Sequence, residues 1–225
     1  MTAFVRRDGV RTGYCLTGCA VLAAAWLGPL PALALERFAA QAALHVVLVT
    51  IAAPLLAASV ARSRFDPVCR WPHGFSPLGL SLLQAAVVWT WHAPAAQLAA
   101  RAAPSLWWLQ QGSLLIAAVL LWVSVVGGER ATRYERVGTG IVALLMTSVH
   151  MTLLGGLSLI SSSPYFGAEI ASSFDDRRAG ALLTLAGAAL VYVIAGALLI
   201  AWLLKPGCLV RDVASAGVTT AGGRS

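Results

Sequence analysis

Six long apolar stretches dominate the chain, and the short segments between them hold most of the charged residues. A membrane-spanning helix needs about 20 consecutive, mostly apolar residues, and each stretch reaches that length. The pattern therefore predicts an all-α membrane protein, a bundle of about six transmembrane helices. The predicted spans are roughly 14–35, 37–61, 78–98, 104–127, 138–161 and 180–204.

Prolines fall within the first two predicted spans. Proline lacks the main-chain N–H and clashes with the preceding turn of a helix. We therefore expect Pro29 and Pro31 to end or kink the first span early, and Pro54 to kink the second.

The distribution of Lys and Arg predicts the orientation. Alternate connections, together with both termini, hold 12 of the 16 basic residues. Positive charge favours the cytoplasmic side, so both termini are predicted inside, and the connections at 30–37, 98–104 and 162–179 outside. The chain then divides into a cytoplasmic N-terminus, a transmembrane domain and a disordered cytoplasmic tail, at 1–13, 14–204 and 205–225.

Composition agrees with a membrane protein. Hydrophobic residues make up 59% of the chain and charged residues 11%, whereas soluble domains average about 25% charged. The net charge of +7 lies at helix ends and forms no continuous patch. The bilayer is therefore the expected partner of these basic residues, and nucleic acid is not.

Three histidines lie inside predicted spans, where an ionisable side chain is costly and suggests function. His45, His92 and His150 all fall in the outer half of the membrane, each on a different helix. They could hydrogen-bond across the bundle, or form a metal or cofactor site open to the outside. Imidazole suits Cu, Zn and Fe, and thioether favours Cu(I), so Met146 and Met151 are weaker candidate ligands.

The other polar residues give weaker evidence for a functional site. Cys15 and Cys19 lie one helical turn apart at the inner side, where packing is favoured over a soft-metal site. No Cys-x-x-Cys-His haem-attachment motif and no catalytic motif of a hydrolase or metalloprotease occurs in the sequence. We therefore expect no enzyme. Asp175 begins the last helix and could interact with the outer site.

Motifs in four spans occur in an order that resembles one family. His45 is followed by Ala-Ala-Pro; His92 ends a Trp-Thr-Trp-His-Ala-Pro element; Gln111 lies in WWLQQG; and Met146 and His150 precede Leu-Leu-Gly-Gly. On these motifs, residues 36–204 resemble the CtaG-type family of cytochrome c oxidase assembly proteins, which are linked to maturation of copper-containing oxidases. Gln41 and Gln111 stand where that family has two further histidines, so the chain resembles a divergent member.

The resemblance implies an assembly factor in the bacterial cytoplasmic (inner) membrane that assists copper delivery or insertion at the periplasmic side. Its implied partners are cytochrome c oxidase subunits or copper chaperones. His45, His92 and His150 would then bind copper, with Gln41, Gln111 and Asp175 as hydrogen-bonding partners of the ligands. A b-haem membrane redox protein and a copper permease are the alternatives.

Overall fold

The computed structural model describes residues 2–128, 133–160 and 173–204. Within these ranges the chain forms nine helices and no β-strand. The tail predicted at 205–225 lies outside the described residues. The helices are α1 Thr2–Leu27, α2 Leu30–Glu36, α3 Phe38–Val60, α4 Pro67–Arg70, α5 Pro77–His92, α6 Pro94–Ala102, α7 Pro104–Val126, α8 Arg133–Ile160 and α9 Phe174–Leu203.

The helical membrane bundle is confirmed. Five helices are long and apolar enough to cross a membrane, namely α3, α7, α8, α9 and the part of α1 at Gly9–Leu27. We name the end of the bundle that holds α2, α6 and the start of α9 the outer end. The charge distribution predicts that this end faces outward.

The third predicted span, 78–98, is wrong in length. Helix α5 has 16 residues, or about 24 Å at 1.5 Å per residue, and it ends at His92. Ala93 is extended (φ −64°, ψ 137°) and Pro94 begins α6. The reason is steric, because the proline ring disfavours the helical conformation of the residue before it.

Prolines elsewhere mark helix starts. Pro67, Pro77 and Pro104 each lie in the first turn of a helix, where the missing N–H leaves no hydrogen bond unmade. The predicted early end of the first span is also confirmed, since α1 stops at Leu27 and α2 begins after Pro29.

Two spanning helices contain a π segment, a turn widened by one residue. Leu48–Ala52 interrupts α3 just before Pro54, and Leu183–Ala188 interrupts α9. The N–H of Ala53 bonds to the carbonyl of Leu48, one residue further back than in an α-helix. Single π turns occur often at functional sites.

Close packing brings α8 and α9 together. A Cβ added to Gly155 of α8 would lie 2.7 Å from the main-chain nitrogen of Leu185, inside the second π segment. Only glycine permits this approach, because a backbone atom cannot move aside as a flexible side chain can. The contact fixes α9 beside α8 near the outer end.

Candidate functional site

His45 and His92 face each other inside the bundle. Their ring centroids are 5.6 Å apart and the rings are inclined at 80°. His45 lies on α3, three residues before its π segment begins at Leu48, and His92 is the last residue of α5. The break at Pro94 thus places His92 at a helix end.

The tautomer of His92 is fixed by the main chain. Its Nδ1 lies 2.7 Å from the carbonyl oxygen of Val88, and a carbonyl can only accept, so Nδ1–H donates. Nε2 is then unprotonated and keeps its lone pair for a ligand. Metal-binding histidines are oriented in this way, with the second ring nitrogen bonded to a carbonyl or carboxylate.

Two imidazoles have no hydrogen-bond partner in the described part of the chain. Both ring nitrogens of His45 and both of His150 are buried and unbonded. A buried polar group without a partner costs free energy. A water or an ion beside each ring would satisfy these nitrogens.

A cavity of about 20 Å³ adjoins the facing pair, and we name it the His cavity. This volume suffices for one water molecule. A haem-sized ligand needs a pocket of about 300–1,000 Å³, so the cavity is far too small for one. It is lined by Phe38, Gln41, Ala42, His45, His92, Gln110, Gln111, Leu114, Leu154, Ser158 and Thr184.

His150 lies close by without lining this cavity. His150 is 8% exposed, and the three imidazoles lie near one another. Yet across residues 2–128, 133–160 and 173–204, no group of three His, Cys, Asp or Glu side chains is arranged to hold a metal ion. The facing pair is therefore the part of the layer best disposed toward one ion.

The two glutamines differ in their contacts. Gln111 lines the His cavity, and its buried Oε1 has no partner among the described residues. The amide of Gln41 is instead engaged at both ends: its Nε2 donates to Gln97 Oε1 at 2.7 Å, and its Oε1 accepts from Arg101 at 2.8 Å. Of the two, Gln111 is the better placed to contact a ligand.

The remaining candidates lie away from the His cavity. Met151 is fully buried in the apolar core and Met146 is half-buried, and neither lines the cavity. Asp175 is exposed in the first turn of α9. It is Asp176 that reaches the bundle, where Oδ2 accepts from the main-chain N–H of Phe38 at 2.7 Å.

Sequence reasoning missed three residues around this site: Gln97, Arg101 and Asp176. Gln97 and Arg101 are four apart on α6, so they share one face of that helix. Reading 78–98 as a single span hid this short helix. Asp176 replaces the capping side chain that α3 lacks, since Arg37 before it gives no side-chain hydrogen bond.

The donor set fits copper in chemical type. Neutral imidazole binds copper well, and His45 and His92 are close enough to share one ion. Glutamine amides are poor copper ligands. The site therefore offers two facing imidazoles, with a third nearby, at the outer end of a membrane bundle.

Comparison with protein families agrees with this architecture. The model of the cytochrome c oxidase caa3 assembly factor family, Caa3_CtaG, matches residues 2–205. The chain belongs to this family. Comparison with curated proteins and with solved structures returned no match.

The Caa3_CtaG match covers every described helix, α1 to α9. His45, His92 and His150 and both glutamines fall within it. The resemblance found in the sequence motifs is thus confirmed at the level of the family. Assembly of cytochrome c oxidase is the function of the family to which this chain belongs.

Proposed function

We propose that this assembly factor binds Cu(I) at the outer end of the bundle and passes it to a haem-copper oxidase at the periplasmic face of the bacterial inner membrane. Copper is the cargo. His45 and His92 hold the ion, and the nearby His150 takes part in receiving or releasing it. The acceptor is an oxidase subunit or a copper chaperone. The role needs ligand exchange alone, so the protein is not an enzyme.

The facing pair of imidazoles carries this proposal. The rings of His45 and His92 lie 5.6 Å apart, and the hydrogen bond from His92 to Val88 leaves Nε2 as the ligand atom. Both nitrogens of His45 are buried without a partner in the described residues. An ion between the rings would satisfy one nitrogen of each.

The small number of ligands suits a carrier. A metal held by two imidazoles keeps open positions that an acceptor's ligands can occupy before the imidazoles leave. A closed set of four ligands, as in structural metal sites, has no open position. Gln41 and Gln111, which stand in place of two family histidines, keep the number of imidazoles low in this chain.

The two alternatives have less support. A b-type haem needs far more room than the 20 Å³ of the His cavity. A permease needs a path through the bundle, and the apolar core of the described bundle is closely filled, with Val49, Val88 and Met151 all fully buried.

Competition with a Cu(I) chelator tests the proposal on purified protein. The wild type should bind one equivalent of Cu(I), and His92→Gln should lose it, because the amide replaces the ligand nitrogen with a poor donor. His73→Gln is the matched control, since His73 is exposed in the loop before α5 and should not affect binding.

A cellular measurement completes the test. His92→Gln should lower the copper content and activity of the host oxidase, whereas His73→Gln should not. Unchanged Cu(I) binding in His92→Gln would overturn the proposed site, and copper-replete oxidase in cells carrying that variant would overturn the proposed role.

A further inference from the structure

A second cavity adjoins the His cavity toward the outer end, and we name it the outer cavity. Its volume is about 10 Å³, and three glutamines border both cavities: Gln41, Gln110 and Gln111. The outer cavity is also lined by Ala34, Leu35, Gln97, Arg101 and Trp107. The two cavities thus share three glutamines in their linings.

Among these shared glutamines, Gln41 has a side chain that is hydrogen-bonded at both its oxygen and its nitrogen. Arg101 donates to its oxygen at 2.8 Å, and its nitrogen donates to Gln97 at 2.7 Å. Hydrogen bonds from a charged donor are roughly twice as strong as those between neutral groups. Gln41 belongs to α3, whereas Gln97 and Arg101 belong to α6, so these bonds join the two helices.

Helix α6 is a short, separate unit between two breaks in the helical backbone. It has nine residues, and it lies between Ala93 and Ala103, both of which are extended and both followed by proline. Rotation at such terminal residues can swing a short helix without unfolding it. His92 directly precedes Ala93, so a movement of α6 begins beside the His cavity.

We propose that Gln41, Gln97 and Arg101 form a latch, which holds α6 against α3 and keeps the His cavity closed toward the outer end. Release of the latch lets α6 swing and lets Gln41 rotate, so that the outer cavity opens onto His45 and His92. The identity of the ion that would pass through this opening depends on the copper role proposed above. The latch itself rests on the hydrogen bonds and the two adjoining cavities.

A cysteine in the His cavity reports access without any copper. Ala42 lines the cavity and is 5% exposed. Ala42→Cys is introduced after the four native cysteines are replaced by serine, and a membrane-impermeant methanethiosulfonate reagent is added from outside. With an intact latch, the thiol should react slowly.

Breaking the latch should speed the reaction. Arg101→Gln removes the charged donor and Gln97→Ala removes the second bond, and each should raise the labelling rate by at least about tenfold. Arg178→Gln is the matched control, because Arg178 is an exposed arginine at the same end of the bundle. It should leave the rate unchanged.

A second reporter separates opening from general loosening. Ala118 is fully buried in the core of α7 and does not line either cavity. Ala118→Cys should stay protected in both latch variants. Equal rates for Ala42→Cys with and without the latch would overturn the proposal, and so would faster labelling of both reporters.

The outcomes also separate this proposal from the copper role. If the protein binds Cu(I) but Arg101→Gln has no effect on labelling, the proposed copper function stands and the latch proposal is wrong. If the latch variants speed labelling but the protein binds no Cu(I), the latch proposal stands and the copper role is wrong.

Discussion

The indole nitrogen of Trp122 donates a hydrogen bond to the main-chain oxygen of Val49, 3.0 Å away. Val49 lies in the π segment of α3, where the shifted bonding pattern disturbs the regular pairing of carbonyls. The ring of Trp122 also stacks on Tyr192, with centroids 5.5 Å apart and an interplanar angle of 15°. One side chain therefore links α7 to the two helices that contain π segments.

Trp122→Phe should destabilise the bundle. Phenylalanine keeps an aromatic ring but removes the donor, which leaves the buried carbonyl of Val49 unpaired at a cost of about 1–3 kcal/mol. The measurement is thermal unfolding in detergent. Trp71→Phe serves as the control, because Trp71 is 59% exposed. Equal melting temperatures for the two variants would contradict the structural role of this bond.

The spans were predictable because length and apolarity decide them, and both can be read along the chain. The π segments were not, since one extra residue in a turn barely changes the apolar pattern. Side chains of other helices donate hydrogen bonds at these segments: Trp122 to the carbonyl of Val49, and Ser148 to that of Ala189, the residue after the second segment, each at 3.0 Å. Such partners become visible only in the folded chain.

The candidate site, like the fold, was predictable from the sequence only in part. Matching depths of His45 and His92 predicted that they share a layer, and the structure places their rings 5.6 Å apart in an edge-to-face arrangement. Depth alone could not show that His150 stands outside the cavity, nor that Gln41 is held by Gln97 and Arg101. Rotation about the helix axis and the position of a short helix decide those contacts, and the break before Pro94 was not anticipated.

Two neighbouring glycines of α8 should respond oppositely to alanine. At Gly155 an added Cβ meets the backbone of Leu185 at 2.7 Å, whereas at Gly156 it meets nothing within 4 Å. Gly155→Ala should cost about 1–3 kcal/mol through overpacking. Gly156→Ala should be neutral or stabilise by up to about 1 kcal/mol, since alanine favours a helix. Thermal unfolding of both variants measures this difference in stability. Similar destabilisation by the two substitutions would argue against the close approach of Gly155 to the backbone of Leu185.

Two neighbouring aspartates give a second matched pair. Asp176 accepts a hydrogen bond from the first N–H of α3, at Phe38, while Asp175 is exposed. Loss of a capping side chain typically costs about 0.5–2 kcal/mol, so Asp176→Ala should lower the unfolding temperature. Asp175→Ala should change stability by no more than about 0.5 kcal/mol. A larger effect of Asp175→Ala would reverse the assignment.

The orientation predicted from basic residues can be tested by reporter fusions. Fusions near residues 33, 101 and 170 should report a periplasmic location, and those near 68 and 132 a cytoplasmic one, because Lys and Arg are concentrated on the cytoplasmic side. A cytoplasmic result near residue 101 would place α6 and the His cavity at the wrong face for the proposed copper delivery.

The amide of Gln111 lines the His cavity, and its buried oxygen has no partner among the described residues. Gln111→His adds a third imidazole to the lining of the His cavity, which His150 does not line. Imidazole is a far better copper ligand than an amide, so the affinity for Cu(I) should rise by on the order of tenfold, which corresponds to about 1.4 kcal/mol. Chelator competition measures this affinity.

Gln111→Leu is the control, since it removes the same amide without adding a ligand, and it should not raise the affinity. We expect Gln41→His to raise it less than Gln111→His, because the amide of Gln41 is bound to Gln97 and Arg101 and replacing it also breaks that contact. If Gln111→His and Gln111→Leu bind copper equally, the imidazole at position 111 does not reach the ion, and His45 and His92 hold it elsewhere than in this cavity.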